Sequence, residues 1–307
     1  MNHQRKDIPP QLWPVMLAGI AAISCAAVLI KICQAPPLAI AFYRMGISAG
    51  LLLPAFVIRR GWKEVGPGDA LWSVVAGAFL SLHFILWIYS LSYTSVASSV
   101  VFVTTNPLFV SLLGWLVFRE RPGARIFLAI ALVLAGGGLI AGKQGLSGSA
   151  NFGNLLALGG AVMASGYLLT GRHLRARMGL LPYITLCYGT TSLILLAAAL
   201  AFGVPLSGFD GKTWLFFLLL ALGPQLVGHS SFNWGLRYLS TPIIAMLIIT
   251  EPVGAALLAW AILRQVPTLA EAAGGLLILA GVYLTVAGGR ANSGGEKTGP
   301  EAKPETI

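Results

Sequence analysis

A few polar groups set inside long apolar runs carry the chemical content of this sequence. Glu251 stands in "LIITEPVGAALLAW" (247–260) with Pro252 behind it, and Asn106 stands in "FVTTNPLFVSLLGW" (102–115) with Pro107 behind it. An ionised carboxyl with hydrocarbon on both sides costs roughly 2.5–3.5 kcal/mol on insertion scales. Glu251 must therefore face protein, water or a partner, and it is a candidate to carry a proton. A structural reading stands beside this one. Pro252 has no N–H to give the carbonyl of Ile248, and a protonated Glu251 can engage such a freed group. Asn106 can do the same before Pro107 without any charge. His83 and His229 interrupt two further apolar runs, and imidazole titrates near neutrality with a donor and an acceptor to offer. Packing is the alternative for both. Asn233 follows His229 by four residues and Trp87 follows His83 by four, so each pair shares a helical face.

The remaining polar positions have two readings each. Arg44 lies about one and a half turns into an apolar run, where snorkelling to the interface or a carbonyl contact competes with a place in a binding site. Lys31 and Arg172 end apolar runs, where a cation suits a helix C-terminus and can also hold an anion. Ser24 and Ser165 can bind a ligand or permit close helix approach. Cys25, Cys33 and Cys187 have neither metal-ligand spacing nor an even count, so they read as buried small hydrophobes and no metal site is expected. The glycines of "AGGGLIAG" (135–142) and "ALGGAVMASG" (157–166) lack the strand and helix that a phosphate loop needs, and read as packing surfaces. Neither Ser/His/Asp ordering nor HExxH nor CxxC occurs, so no enzyme and no cofactor is expected.

The elements that must position these groups are transmembrane helices. Of 307 residues, 57% are apolar and only 10% charged, with a mean hydropathy of +0.82. Runs of about 20 apolar residues, enough to cross ~30 Å of hydrocarbon, recur at about 13–32, 38–58, 70–90, 96–118, 124–142, 153–171, 181–203, 213–235, 241–263 and 269–288. The first run lacks a clear small-x-small exit before Lys31 and reads as a span rather than a signal peptide. The net charge of +10 invites a nucleic-acid reading, but placement rejects it. With both termini cytoplasmic, the internal segments hold fifteen of the twenty basic residues, and the opposite side keeps Lys31, Lys143, Lys212 and Arg264. Such asymmetry is a topology signal. All eight tryptophans, at 13, 62, 72, 87, 115, 214, 234 and 260, lie within a few residues of an expected span end, at headgroup level. The tail "GGRANSGGEKTGPEAKPETI" (288–307) reads as disordered.

Self-comparison divides the chain. "YTSVASSVVFVTTNPLFVSLLGWLVFRERP" (93–122) aligns at a shift of 145 with "YLSTPIIAMLIITEPVGAALLAWAILRQVP" (238–267), and "LVLAGG" (132–137) with "LILAGV" (277–282). Pro37 and Tyr43 meet Pro182 and Tyr188 at the same shift, and Gly19, Ser24 and Lys31 meet Gly160, Ser165 and Arg172 four residues earlier. Each half thus holds five spans. Five is odd, so the second half enters the membrane from the opposite side. The expected organisation is a cytoplasmic segment 1–12, a first repeat 13–142, a connecting loop 143–152, a second repeat 153–288 and a tail 289–307.

These motifs resemble the ten-span transporters with two EamA repeats in the drug/metabolite transporter superfamily. The resemblance covers about residues 13–288 and is most specific in the two aligned copies above. It implies an all-α polytopic membrane protein of two inverted five-helix repeats, with a central cavity lined mainly by spans 1, 3, 4, 6, 8 and 9. Family members carry a mid-membrane Pro in spans 4 and 9, and an acidic residue usually closes span 4, the place of Glu120. Gln265 departs from that pattern in the second copy, and "MLAGIAAISCAAVLIK" departs from the usual start of span 1. The implied activity is secondary transport, often outward, of small organic metabolites in a bacterial inner membrane. Partners would be the metabolite and membrane lipid, with a homodimer compatible and nucleic acid not expected. The expected pathway comprises Glu251, Asn106, His83, His229, Asn233, Trp87, Ser24, Ser165 and Arg44, with helix breaks at Pro107 and Pro252. A membrane-embedded binding or assembly protein is the rival class, and a dry, fully packed Glu251 would favour it.

Overall fold

The computed structural model describes the backbone of residues 9–118, 125–144, 148–239, 244 and 247–293, and the side chains of 9–113, 127–140, 148–239, 244 and 247–284. Glu120, the side chains of Trp115 and Lys143, and the tail beyond 293 lie outside these. The described residues form helices and no strand. That is what hydrocarbon demands, because a lone helix satisfies its backbone internally.

Eleven helices are described. In chain order they are α1 (Leu12–Ile32), α2 (Pro37–Ile58), α3 (Pro67–Tyr93), α4 (Val96–Val103), α5 (Asn106–Phe118), α6 (Arg125–Gln144), α7 (Ser149–Arg175), α8 (Leu180–Ala201), α9 (Gly211–Gly235), α10 (Glu251–Leu263) and α11 (Leu269–Ser293). Pro stands in the first turn of α2 and α3, where its missing N–H would have no helical partner in any case. Ser95 caps α4 by accepting from Ser98 N at 3.1 Å. Asp210 caps α9 by accepting from Thr213 N at 2.8 Å, and this bonding holds its carboxyl below the usual carboxylate range. Thr268 and Glu271 form a reciprocal capping box at α11.

Seven stretches are long and apolar enough to cross a membrane: α1, α2, α3, Val96–Leu113, α7, α8 and α9. The expected spans five, nine and ten correspond, within the described residues, to shorter apolar helices at Phe127–Ile140, Glu251–Leu263 and Leu269–Leu284. Two spans are not continuous helix. The fourth span breaks after Val103 and restarts at Asn106, and in the ninth a turn at 249–250 precedes Glu251. Pro107 and Pro252 therefore sit in first turns, where proline breaks no bond.

Large apolar side chains on the outer surface, among them Leu17, Ile58, Leu71, Leu155 and Leu193, face where lipid would lie. Trp13, Trp62, Trp72, Trp214 and Trp260 are exposed as expected of interface anchors. Trp87 is not. Only 3% exposed, it points inward, because its helix runs to Tyr93 and places it well inside the bundle.

The two halves interlock with a visible symmetry. Helix α7 packs along α3, while α9 packs along α1; α7 also lies against α4 and α5, as α1 lies against α10. Between α6 and α11 the approach is closest. A Cβ on Gly136 would stand 2.4 Å from the carbonyl oxygen of Gly274, and one on Gly281 would stand 2.7 Å from that of Ala129. These two contacts map onto each other under the 145-residue shift, and they pair early positions with late ones, so the helices run antiparallel. Gly138 has open space beside it. Gly136→Val should therefore destabilise the protein by about 1–3 kcal/mol through overpacking, whereas Gly138→Val should not. Thermal unfolding in detergent checks both.

Candidate functional site

The two helix breaks create the site. Where α4 stops, the last carbonyls keep a backbone N–H, Thr104 N on Val100 O at 3.0 Å and Thr105 N on Phe102 O at 3.2 Å, and threonine hydroxyls add a second donor. Thr105 Oγ1 donates to Phe102 O at 2.7 Å, and Thr104 Oγ1 donates to Val100 O and Val101 O at 2.9 and 3.0 Å. In the second half Thr250 Oγ1 donates to Leu247 O at 2.6 Å. Thr105 and Thr250 are repeat partners, as are Phe102 and Leu247, so both halves close their break by the same bond. Ser165 Oγ donates to the carbonyl of Asn106 at 2.9 Å. Among the described residues neither Asn106 nor Glu251 makes a side-chain bond to a carbonyl, and both side chains face inward.

They face a cavity. It holds about 70 Å³ measured to the centres of water-sized spheres, and a water needs about 10–15 Å³ on that measure. Span 1 contributes Ile23, α3 His83 and Trp87, the fourth span Val103, Thr104 and Asn106, α7 Ala164, Tyr167 and Leu168, α9 His229, Phe232 and Asn233, and the ninth span Ile248 and Glu251. Six of the expected pathway residues are therefore brought together: Glu251, Asn106, His83, His229, Asn233 and Trp87. Glu251 is 9% exposed and makes no hydrogen bond among the described residues, while Asn106 Oδ1 is buried without a partner. Both α5 and α10 turn their N-terminal ends toward this space, an electropositive feature.

His83 is fixed in the wall. Its Nδ1 donates to the carbonyl of Gly160 at 2.9 Å, and its ring stacks on Trp87 at 5.9 Å and 13°. His229 lies 6.5 Å from it, ring centre to ring centre. Asn233 donates to Tyr167 Oη at 2.6 Å and to Tyr188 Oη at 3.4 Å, and Tyr188 in turn pairs with Ser230 Oγ at 3.1 Å.

Three expected residues lie outside the lining. Ser165 supports Asn106 from behind, and Ser24 donates to Ile20 O at 2.9 Å while packing against Gly254. Arg44 is 0% exposed, so the snorkelling reading is overturned. Its Nε donates to Gln225 Oε1 at 3.0 Å, and its guanidinium lies 4.3 Å above the Phe84 ring. Gln225 follows Pro224 in a π-type stretch of α9, Ala221–His229, where the proline removes a backbone donor. Ser48 Oγ donates to the carbonyl of Ala221 there. Gln225, Tyr167 and Tyr188 were missed from sequence, although a Pro-Gln pair inside an apolar run was a signal of the same kind as Asn-Pro and Glu-Pro.

Beyond the cavity, at the end of the bundle where α1 stops and α4 starts, a polar layer ties the helices together. Ser90 pairs with Ser99 at 2.6 Å, and Thr94 and Ser98 both donate to Asn154 Oδ1 at 2.9 Å. Lys31 Nζ donates to the carbonyl of Thr94 at 3.1 Å, Ser95 donates to Glu271, and Gln265 accepts from Val96 N at 3.3 Å. The opposite end carries the Arg177–Asp69 ion pair at 3.2 Å and the bond from Gly179 N to Glu64 at 3.1 Å. The loops thus sort into two groups, one at each end.

Comparison with known proteins places this arrangement. The profile of the EamA-like transporter family matches residues 12–142 and again 151–287. An uncharacterized transporter of Archaeoglobus fulgidus is 26% identical over 259 residues, covering 82% of this chain and 88% of its own length. The uncharacterized inner membrane transporter YicL of Salmonella typhimurium is 26% identical over 297 residues, covering 92% and 96%. A crystal structure at 19% identity superposes with a TM-score of 0.66, covering 92% of this chain and 99% of its own, and shows the same fold. The chain belongs to the EamA-like transporter family.

Proposed function

We propose that this family member is a secondary transporter that exports a small organic metabolite or amphipathic compound across the bacterial inner membrane. The single observation that supports this most is Glu251, set at a helix break and facing a cavity between the two halves rather than packed dry. A carboxyl group kept there at the cost noted above has a use only if something neutralises it, and a proton or the substrate can. Substrate meets the protein at Asn106, Trp87, His229, Tyr167 and Glu251, while apolar walls from Ile23, Leu168 and Phe232 receive its hydrocarbon.

Ten spans in two inverted halves, 13–142 and 153–288, supply the motion. Rocking of one half against the other exposes the cavity to each side in turn, with the Ser90, Thr94, Ser98 and Asn154 bonds closing the outer end in the state described. Both termini lie in the cytoplasm, as the arginine-rich loops require. Proton movement on Glu251 is coupled to the cycle.

Two outcomes test these proposals. A fluorescent protein fused at either terminus should fluoresce, and alkaline phosphatase fused in the 204–210 loop should be active; the reverse pattern contradicts the orientation. In sealed proteoliposomes screened with metabolite pools, substrate addition should move protons, and Glu251→Gln should abolish that movement. Unchanged pH dependence in the Gln variant would remove the proton role.

A further inference from the structure

Arg44 is left unexplained by this reading. Its Nη1 and Nη2 are buried without hydrogen-bond partners, and no carboxylate of the described residues lies within ion-pair distance. It does not line the cavity. Phe84 lies under its guanidinium and Trp87 stands 6.0 Å away, so it sits one side chain behind the wall. Because Trp87 lines the cavity, the guanidinium stands one ring from it, and an apolar wall screens such a charge poorly. Arg44 and Glu251 are thus a fixed cation and a titratable acid sharing one low-dielectric region.

Their charges restrict what the cavity can hold. With Glu251 ionised and the cavity empty, the pair is neutral. An organic cation bound then leaves one positive charge uncompensated, and an organic anion leaves one negative charge. A proton alone on Glu251 leaves the charge of Arg44 exposed. An anion bound while Glu251 carries a proton restores neutrality, and uncompensated charge is what a buried site tolerates least. The donors agree with this. Trp87 Nε1 is buried without a partner, and two helix N-termini, those of α5 and α10, point into the same space.

We propose that the cavity takes a small organic carboxylate with an aromatic or aliphatic body together with one proton on Glu251, and that Arg44 sets this preference for an anion. The proposal rests on the reading of Glu251 as a proton carrier, and because anion and proton then cross together, export runs down the metabolite's own outward gradient. Arg44 is a positioning residue, acting through its field rather than by touching the ligand. Around Glu251 the other titratable groups lining the cavity are His83 on α3, Tyr167 on α7 and His229 on α9.

The probes are benzoate and benzylamine, of similar size and opposite charge, titrated against the purified full-length protein by thermal shift at several pH values. Benzoate should bind at least about tenfold more tightly than benzylamine at low pH, with an affinity falling about tenfold per pH unit once Glu251 loses its proton. Arg44→Gln should reverse the order of the two probes, Arg44→Lys should restore it, and Glu251→Gln should bind benzoate without a pH slope. A scaffold effect of Arg44 would weaken both probes alike and could not reverse them. Should Arg44→Gln not fold, the neutral double substitution Arg44→Gln with Glu251→Gln should lose the benzoate binding that Glu251→Gln keeps. Preference for benzylamine, an unreversed order in Arg44→Gln, or binding of neither probe would overturn the proposal. Proton movement in proteoliposomes can persist in each of those cases, so the two readings fail separately.

Discussion

Hydrocarbon offers no hydrogen-bond partner, so every backbone group uncovered inside a membrane must find one in the protein. The rest of this structure follows from how the fourth and ninth spans meet that constraint. Each breaks near its middle, and at each break one threonine gives both its N–H and its hydroxyl to the carbonyl three residues earlier, Thr105 to Phe102 and Thr250 to Leu247. Asn106 and Glu251 follow directly after these turns. They are held at the starts of new helices and face the space between the halves.

The neighbouring helices extend the same logic. Pro224 removes a backbone donor from α9, the helix relaxes into a π-type stretch, and Gln225 is directed to Arg44. Ser165 braces the carbonyl of Asn106, and Gly160 brings its carbonyl to His83. Small residues let backbones approach, and the approach supplies partners for polar side chains that lipid could not. Unpartnered polar atoms of Arg44, Trp87 and Asn106 lie on or just behind the cavity wall that holds Glu251, while those of Tyr183 and Gln225 lie outside the lining.

Much of this was legible in the chain. The Asn-Pro and Glu-Pro pairs, the 145-residue repeat and the polar faces of His83–Trp87 and His229–Asn233 are local patterns, and the structure draws those residues to one cavity. Three features were not legible, for physical reasons. Arg44 lies near a span end, where snorkelling is usual, and only the tertiary partners Gln225 and Phe84 keep it inside. Trp87 resembled a headgroup anchor until the extra turns of α3 placed it deeper. The prolines mark the breaks, but that Thr105 and Thr250 turn their hydroxyls back onto the chain three residues earlier depends on the local turn and not on the residue type.

The central claim is that this cavity opens to each side of the membrane in turn, and accessibility tests it most directly. In a chain whose three native cysteines are replaced by Ala, Thr104→Cys places one thiol in the cavity, and an impermeant maleimide can be added to either face of sealed, oriented vesicles. Alternating access predicts labelling from both faces, slower from the face at which Asn154 ties Thr94 and Ser98. Labelling from one face only, or from neither, at every pH would contradict the account.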